Sequence, residues 1–349
     1  MPIRVLIVDD SALARAMLER ALSRAGDIEV IGNASDPFEA RRLIVELQPD
    51  VVTLDLELPR MDGITFLRKV MYHHPLPVVV VSSLTKAGSA RAVEAMEGGA
   101  LAVVAKPHQG YGPTAMALEL VETVRQAAAV DARRFAISRR LGLRPVATAG
   151  AGPARPVLIG ASLGGPAAVS AILTAMPSNG PPLLVALHMP APHTQSFAER
   201  LDGLSRMHVA QACQGDTLRP GLCLVAPGDR HTLLGGDGNR PCVVLRSGPP
   251  LRGHRPSIDA LFESASRVAA RSVVGVILTG MGSDGAAGLR AMHDAGATTI
   301  AQDRESAVVF GMPGSAIELG AVDHVTPLDQ MAVTILRMST VATVNRVST

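Results

Sequence analysis

V-L-I-G-A-S-L-G-G, residues Val157–Gly165, is an apolar run that ends on a serine set among glycines. Consecutive apolar residues with no polar alternation read as a strand buried on both faces, the signature of a parallel sheet. The glycines permit a tight turn from that strand into a helix. G-A-S-L-G (Gly160–Gly164) fits the G-x-S-x-G elbow, which exposes a serine hydroxyl above the sheet. A glycine-rich turn of this kind also cradles phosphates, but this one carries neither G-x-G-x-x-G nor G-K-[ST]. Two other apolar runs end on side chains that would complement the serine. L-L-V-A-L (Leu183–Leu187) precedes His188, and V-V-G-V-I-L-T-G-M-G-S (Val273–Ser283) precedes Asp284. A serine oxygen that attacks, an imidazole that takes its proton and a carboxylate that fixes the tautomer are the parts of acyl transfer.

Chain order narrows the fold. In α/β-hydrolases the order is Ser, Asp, His; here it is Ser162, His188, Asp284, which predicts a separate arrangement on another sheet. His193, His208, His231 and His254 compete with His188, which is favoured by its place directly after a strand. Asp284 also suits the N-cap of the helix that follows, and one carboxylate can do both.

Apolar strands recur outward from Val157: Val157–Gly160, Leu183–Leu187, Cys223–Ala226, Cys242–Arg246, Val273–Leu278 and Thr298–Ala301. Helical stretches at Ala167–Ala175, Ser196–Leu204, Ile258–Arg271 and Ala286–Ala295 separate several of them. The expectation is an α/β domain with a mostly parallel sheet and an antiparallel portion near Cys223–Arg246.

The first third has its own β-α rhythm. Strands are expected at Ile3–Val8, Glu29–Gly32, Val51–Leu54, Val78–Val81 and Leu101–Ala105. Helices are expected at Ala12–Ala25, Asp36–Leu47, Ile64–His73, Ser89–Glu97 and Thr114–Ala128. This predicts a flavodoxin-like, doubly wound, five-stranded parallel sheet, which places its chemistry beyond the carboxyl ends of the strands. Asp9 and Asp10 stand at the first such end, Asp55 at the third, Ser82 at the fourth and Lys106 at the fifth. Three carboxylates at one rim call for a hard divalent cation such as Mg2+. One of them could then attack a phosphoryl group while Lys106 neutralises its oxygens.

The bulk numbers bound these readings. The 349 residues accommodate two domains; 47% are hydrophobic and 18% charged, which is a globular composition. Aromatics make up 2% with no Trp, so base stacking has little to work with. A net charge of +2 supports neither a nucleic-acid nor a membrane partner. Three cysteines, Cys213, Cys223 and Cys242, without C-x-x-C spacing fit a reducing compartment. No run reaches the roughly 18 apolar residues of a membrane span, and M-P-I-R-V-L-I-V-D-D lacks a secretory pattern. The expectation is a cytoplasmic monomer with no membrane insertion. Residues 129–155 lose the rhythm, carry Arg133, Arg134, Arg139, Arg140 and Arg144, and end in A-T-A-G-A-G-P-A, which reads as a connector. The arginines suit a solvated or interdomain face, with docking of an acidic partner as the alternative. No helix-turn-helix pattern accompanies them.

The motifs of both halves resemble known families. D-D-S (Asp9–Ser11), L-D-L-E-L-P-R-M-D-G (Leu54–Gly63), V-S-S (Val81–Ser83) and K-P (Lys106–Pro107) resemble the receiver domain of response regulators across residues 1–128. That resemblance implies Asp55 as phosphoacceptor, and Asp9, Asp10, Asp55 and the backbone carbonyl of Glu57 around Mg2+. Ser82 would be the switch hydroxyl and Lys106 the phosphate contact. G-A-L-A-V-V-A-K-P (Gly99–Pro107) departs from the usual acidic or aromatic residue after G-A. Residues 156–345 resemble the catalytic domain of the chemotaxis protein-glutamate methylesterases, the CheB family. The resemblance lies in G-A-S-x-G-G, H-M-P, S-F-A-E-R-L, A-P-G-D-R-H, H-R-P-S-I-D, V-I-L-T-G-M-G-S-D-G-A and V-F-G-M-P.

The second resemblance implies Ser162 as nucleophile, His188 as general base and acid, and Asp284 as orienter, with the Met281 backbone N–H at the oxyanion. It needs no cofactor for hydrolysis. Its substrate would be glutamate γ-methyl esters of methyl-accepting chemotaxis receptors, with deamidation of receptor glutamines by the same route. A chemotaxis histidine kinase would supply the phosphoryl group that relieves inhibition by the receiver. Leu163 stands where the family commonly has threonine and Leu187 where it has glutamine, so a hydroxyl and an amide are absent. A receptor-docking regulator without turnover is the alternative. A transcriptional regulator would need a basic recognition helix that Asp329–Thr349 is too neutral to supply.

Overall fold

A computed structural model of the chain describes residues 1–83, 86–108, 112–130, 154–237 and 240–340. It divides into two compact units, Met1–Arg140 and Leu141–Thr349. The five connector arginines lie outside the described residues.

In the first unit β1 (Ile3–Val8), β2 (Ile28–Ala34), β3 (Val51–Leu54), β4 (Val78–Ser82) and β5 (Ala102–Ala105) form one sheet in the order β2-β1-β3-β4-β5. Every pairing is parallel. Val5–Val8, β3 and β4 are buried on both faces, as expected where helices cover each side of a parallel sheet. Those helices are α1 (Ala12–Ser23), α2 (Pro37–Leu47), α3 (Gly63–His73), α4 (Lys86–Gly98) and α5 (Pro113–Ala128). Ser11, Asp36 and Asp62 cap α1, α2 and α3 through their side chains, so each helix starts at a fixed residue after its strand-end loop.

The second unit has seven parallel strands in the order β14-β13-β12-β6-β7-β9-β8. They are β6 (Val157–Ala161), β7 (Leu183–Leu187), β8 (His208–Gln211), β9 (Leu222–Val225), β12 (Val274–Ile277), β13 (Thr298–Gln302) and β14 (His324–Thr326). All pairings are again parallel. The antiparallel element is a hairpin apart from this sheet, β10 (His231–Asp237) with β11 (Arg240–Arg246). Cys223 therefore belongs to a parallel strand, and the antiparallel portion begins only at His231. The helices are α6 (Gly165–Ala175), α7 (Ala191–Leu204), α8 (Ile258–Val268), α9 (Ala286–Asp294), α10 (Gly311–Glu318) and α11 (Leu328–Ser339). An aliphatic core with Phe262 runs between the sheet and α8–α10; each fully buried Leu, Ile or Phe contributes about 1.5–3 kcal/mol. No helix among the described residues is long and apolar enough to cross a membrane.

The winding matters for the site. From β6 the chain moves one way to β7 and returns on the other side at β12, so β6 is the switch point with β7 and β12 as its neighbours. Crevices in open α/β sheets form beyond the carboxyl ends of such strands. Ser162, His188 and the Thr279–Asp284 loop follow these three strands.

Candidate active site and phosphoacceptor site

The turn after β6 is held from one neighbouring loop. Ser162 N–H donates to the Thr279 carbonyl at 3.0 Å, and the buried Thr279 hydroxyl donates to the Leu163 carbonyl at 2.9 Å. The same hydroxyl accepts from Val309 N–H at 3.0 Å, and Thr279 N–H donates to Gln302 Oε1 at 2.8 Å. Gly164 caps α6 at φ +75°, a left-handed conformation that glycine adopts without strain. Gly280 has no room for a side chain: a Cβ there would lie 2.8 Å from Ser162 Cβ.

The three candidate side chains meet. His188 Nδ1 lies 3.1 Å from Ser162 Oγ, and His188 Nε2 lies 2.8 Å from Asp284 Oδ2. Asp284 is almost fully buried, and four donors satisfy it. Oδ2 accepts from His188 and from Ile258 N–H at 2.8 Å; Oδ1 accepts from Ser257 Oγ at 3.0 Å and Asp259 N–H at 3.1 Å. Burial works to raise its pKa, but the hydrogen bonds from His188 and the two backbone amides outweigh it and hold the carboxyl at about 2. An ionised Asp284 requires the imidazole proton on Nε2, which leaves the Nδ1 lone pair free to accept the serine proton. Among the described residues no backbone carbonyl accepts from Met281 N–H, so this amide is free to meet an oxyanion.

Asp284 is also the N-terminal anchor of α8, although it precedes α9. Asp259, in the first turn of α8, returns the contact: its Oδ1 accepts from Gly285 N–H at 2.9 Å and Gly288 N–H at 2.8 Å, at the start of α9. The two helices thus exchange carboxylates, each placed where the macrodipole favours a negative charge.

In the first unit Asp9, Asp10 and Asp55 bring carboxylate oxygens within 4.8 Å of one another. Lys106 Nζ lies 2.6 Å from Asp55 Oδ2 and 2.9 Å from Asp9 Oδ2. Burial pushes the Asp55 carboxyl up against the opposing pull of Lys106, and the charge of Asp9 adds to the rise. Burial would lower the Lys106 ammonium, but its ion pairs with Asp55 and Asp9 hold it above the usual lysine range. Three carboxylates against one ammonium leave uncompensated negative charge at a rim of oxygen ligands, a donor set that fits a hard divalent cation. Ser82 is buried at the end of β4, where its hydroxyl lies 3.5 Å from its neighbour's carbonyl and its own carbonyl accepts from Lys106 N–H at 2.8 Å. Glu57 follows on the loop, its N–H 3.3 Å from Asp55 Oδ1.

Residues 157–335 match the family described as CheB methylesterase, and residues 5–111 match the response regulator receiver domain. This chain belongs to the CheB methylesterase family. Protein-glutamate methylesterase/protein-glutamine glutaminase 4 of Anaeromyxobacter dehalogenans is 50% identical over 346 residues, covering 97% of this chain and 95% of the relative. Protein-glutamate methylesterase/protein-glutamine glutaminase 2 of Syntrophus aciditrophicus is 46% identical, covering 96% of this chain and 99% of the relative. The catalytic domain of Thermotoga maritima CheB methylesterase is 37% identical with a TM-score of 0.51, covering 53% of this chain and 98% of that chain.

The competing histidines of this CheB-family chain fall elsewhere. His193 is fully buried on α7, its ring nitrogens without a hydrogen-bond partner among the described residues, and burial lowers its pKa to about 4. His208 pairs with Asp202 on the surface. His231 is structural, donating from Nε2 to the Pro249 carbonyl at 3.0 Å and accepting at Nδ1 from Ser257 N–H. His254 alone joins the site, stacked on His188. Leu163 and Leu187 are both buried. Sequence reasoning missed Ser257, Asp259 and Thr279. H-R-P-S-I-D carried a usable signal for the first, a serine at the N-cap position before an amphipathic helix.

Proposed function

We propose that this chain hydrolyses glutamate γ-methyl esters on chemoreceptors, releases methanol, and deamidates receptor glutamines by the same acyl-enzyme route. The proposal assigns residues 1–128 to the receiver, 129–155 to a connector and 156–345 to the catalytic domain, acting in the cytoplasm. The observation that carries it is the relay from Ser162 Oγ through His188 to Asp284, at 3.1 and 2.8 Å, across neighbouring strand ends.

Ser162 Oγ attacks the ester carbonyl as its proton passes to His188 Nδ1. The imidazolium that forms faces Asp284 through Nε2, and the Met281 N–H meets the negative oxygen of the tetrahedral intermediate. His188 then gives the proton to the departing methoxy oxygen, which leaves as methanol, or to the nitrogen of a glutamine amide, which leaves as ammonia. Water, deprotonated by His188, attacks the acyl-serine. Collapse of the second intermediate frees the glutamate carboxylate and restores Ser162.

In the receiver, Asp55 Oδ accepts a phosphoryl group from a chemotaxis histidine kinase, with Lys106 beside the incoming oxygens. Asp9, Asp10, Asp55 and the Glu57 carbonyl would hold Mg2+, which when bound neutralises phosphoryl charge. Ser82 reads the modified state. Regulation requires that phosphorylation shift a domain equilibrium by differential interaction energy.

The test is methanol release from methylated receptor membranes. Ser162→Ala is expected to fall to background while receptor binding persists; unchanged release would remove Ser162 as nucleophile. A small phosphodonor is expected to stimulate the wild type and not Asp55→Asn, and equal stimulation of both would remove the phosphoryl switch.

A further inference from the structure

The ring of His254 lies parallel to the ring of His188, with centroids 3.9 Å apart and planes 3° apart. Among the described residues neither ring nitrogen of His254 has a hydrogen-bond partner; its imidazole meets His188 through its face. Burial lowers its pKa, the neighbouring His188 lowers it further, and Asp284 opposes, so it remains an uncharged aromatic surface at neutral pH.

The backbone beneath it is built to deliver that ring. Leu251 and His254 exchange backbone hydrogen bonds at 3.0 Å in both directions. The two residues between them, Arg252 and Gly253, take φ +49° and +88°. Positive φ at both central positions is the tight I′ geometry, costly for arginine and therefore maintained by its surroundings. The Arg252 guanidinium reaches back to Asp259 Oδ2 at 3.1 Å, and Arg255 donates to the Gly248 carbonyl at 2.7 Å. Three residues after His254, Ser257 caps α8 and donates to Asp284. One segment of nine residues, 251–259, thus holds both the carboxylate and the stacking partner of the same imidazole.

We infer that His254 is a positioning residue for this hydrolysis: stacked on His188, it fixes the imidazole plane so that one edge faces Ser162 and the other Asp284, and it presents a π face to the imidazolium formed in the transition state. Two flat rings in face contact at this separation attract through dispersion, and a cation over a desolvated ring is stabilised further. An imidazole free to rotate about its Cβ–Cγ bond would lose one of its two hydrogen bonds, and proton transfer depends on that alignment.

The inference rests on the relay Ser162–His188–Asp284, and its test keeps the two apart. Full-length wild type, Ser162→Ala, His254→Ala, His254→Phe and His254→Asn are activated with the same phosphodonor and assayed for methanol release from methylated receptor membranes. The rate of Ser162 labelling by a fluorophosphonate probe is measured in parallel. His254→Ala is expected to lower kcat by about tenfold and leave KM within about twofold, with labelling slowed in proportion. His254→Phe, which keeps the flat face and cannot hydrogen-bond, is expected to recover to within about threefold of wild type, and His254→Asn to resemble alanine. Wild-type kcat in His254→Ala, or recovery by asparagine and not phenylalanine, would overturn the stacking role. Full activity in Ser162→Ala would instead overturn the relay itself.

Discussion

Replacing Asp284 with asparagine changes almost nothing in volume and everything in hydrogen-bond polarity. Both oxygens now accept, from His188 and Ile258 on one and from Ser257 and Asp259 on the other. An amide supplies one oxygen and one NH2, so one of those pairs must confront a donor. With the NH2 toward His188 the imidazole proton moves to Nδ1, where it points at Ser162 and the ring can no longer accept. The expected loss in kcat is about 10³–10⁴-fold. Stability offers an independent reading. The carboxyl is held at about 2 in the fold against the ordinary aspartate value of 3.8; at about 1.36 kcal/mol per unit this contributes about 2 kcal/mol at neutral pH. Because the folded value is the lower one, the contribution is complete above about pH 4 and disappears as pH falls through 2. Methanol release gives kcat, and urea unfolding followed by circular dichroism gives the stability difference from wild type at pH 7, 5, 3 and 2.5. Retention of more than a tenth of kcat, or a stability difference that does not shrink below pH 4, would refute the reasoning.

Three further outcomes are expected. His193→Leu should remove part of the acid sensitivity: the histidine is neutral in the fold with a pKa of about 4 against 6.5, so wild-type stability falls by up to about 3 kcal/mol from pH 6.5 to 4. A variant whose stability follows the wild-type pH curve would refute this. Gly280→Ala, whose methyl would crowd Ser162, should cut fluorophosphonate labelling of Ser162 by about 100-fold or more with an unchanged circular dichroism spectrum; normal labelling would show that the loop has slack. Asp10→Asn should raise the Mg2+ concentration for half-maximal stimulation by phosphodonor by about tenfold or more, and an unshifted titration would exclude Asp10 as a ligand.

The strands that were legible are those buried on both faces, because burial on both sides writes an unbroken apolar run. I-R-V-L-I-V and L-L-V-A-L coincide with β1 and β7 to the residue. β8 (H-V-A-Q) and β14 (H-V-T) escaped because they are short edge strands at either end of the sheet, with one side to solvent and no run to read. α10 begins G-M-P-G, which reads as a turn, yet it packs into the core through Met312 and Ala316. Ser162, His188 and Asp284, which the fold brings together, could be picked out because Ser162 and His188 directly follow buried strands and Asp284 closes the loop after β12. Their supports could not. Thr279 acts through its hydroxyl across more than a hundred residues to Leu163, and the stacking of His254 on His188 depends on a turn conformation that no apolar period encodes.

The crossed anchoring of α8 and α9 has a consequence for how the enzyme would fail. Each helix end is tied down by an acid belonging to the other, and one of those acids also serves the imidazole. Fraying at either start would therefore be felt first as lost turnover, with the sheet still intact. Catalytic output would then serve as a local thermometer for those two helical first turns.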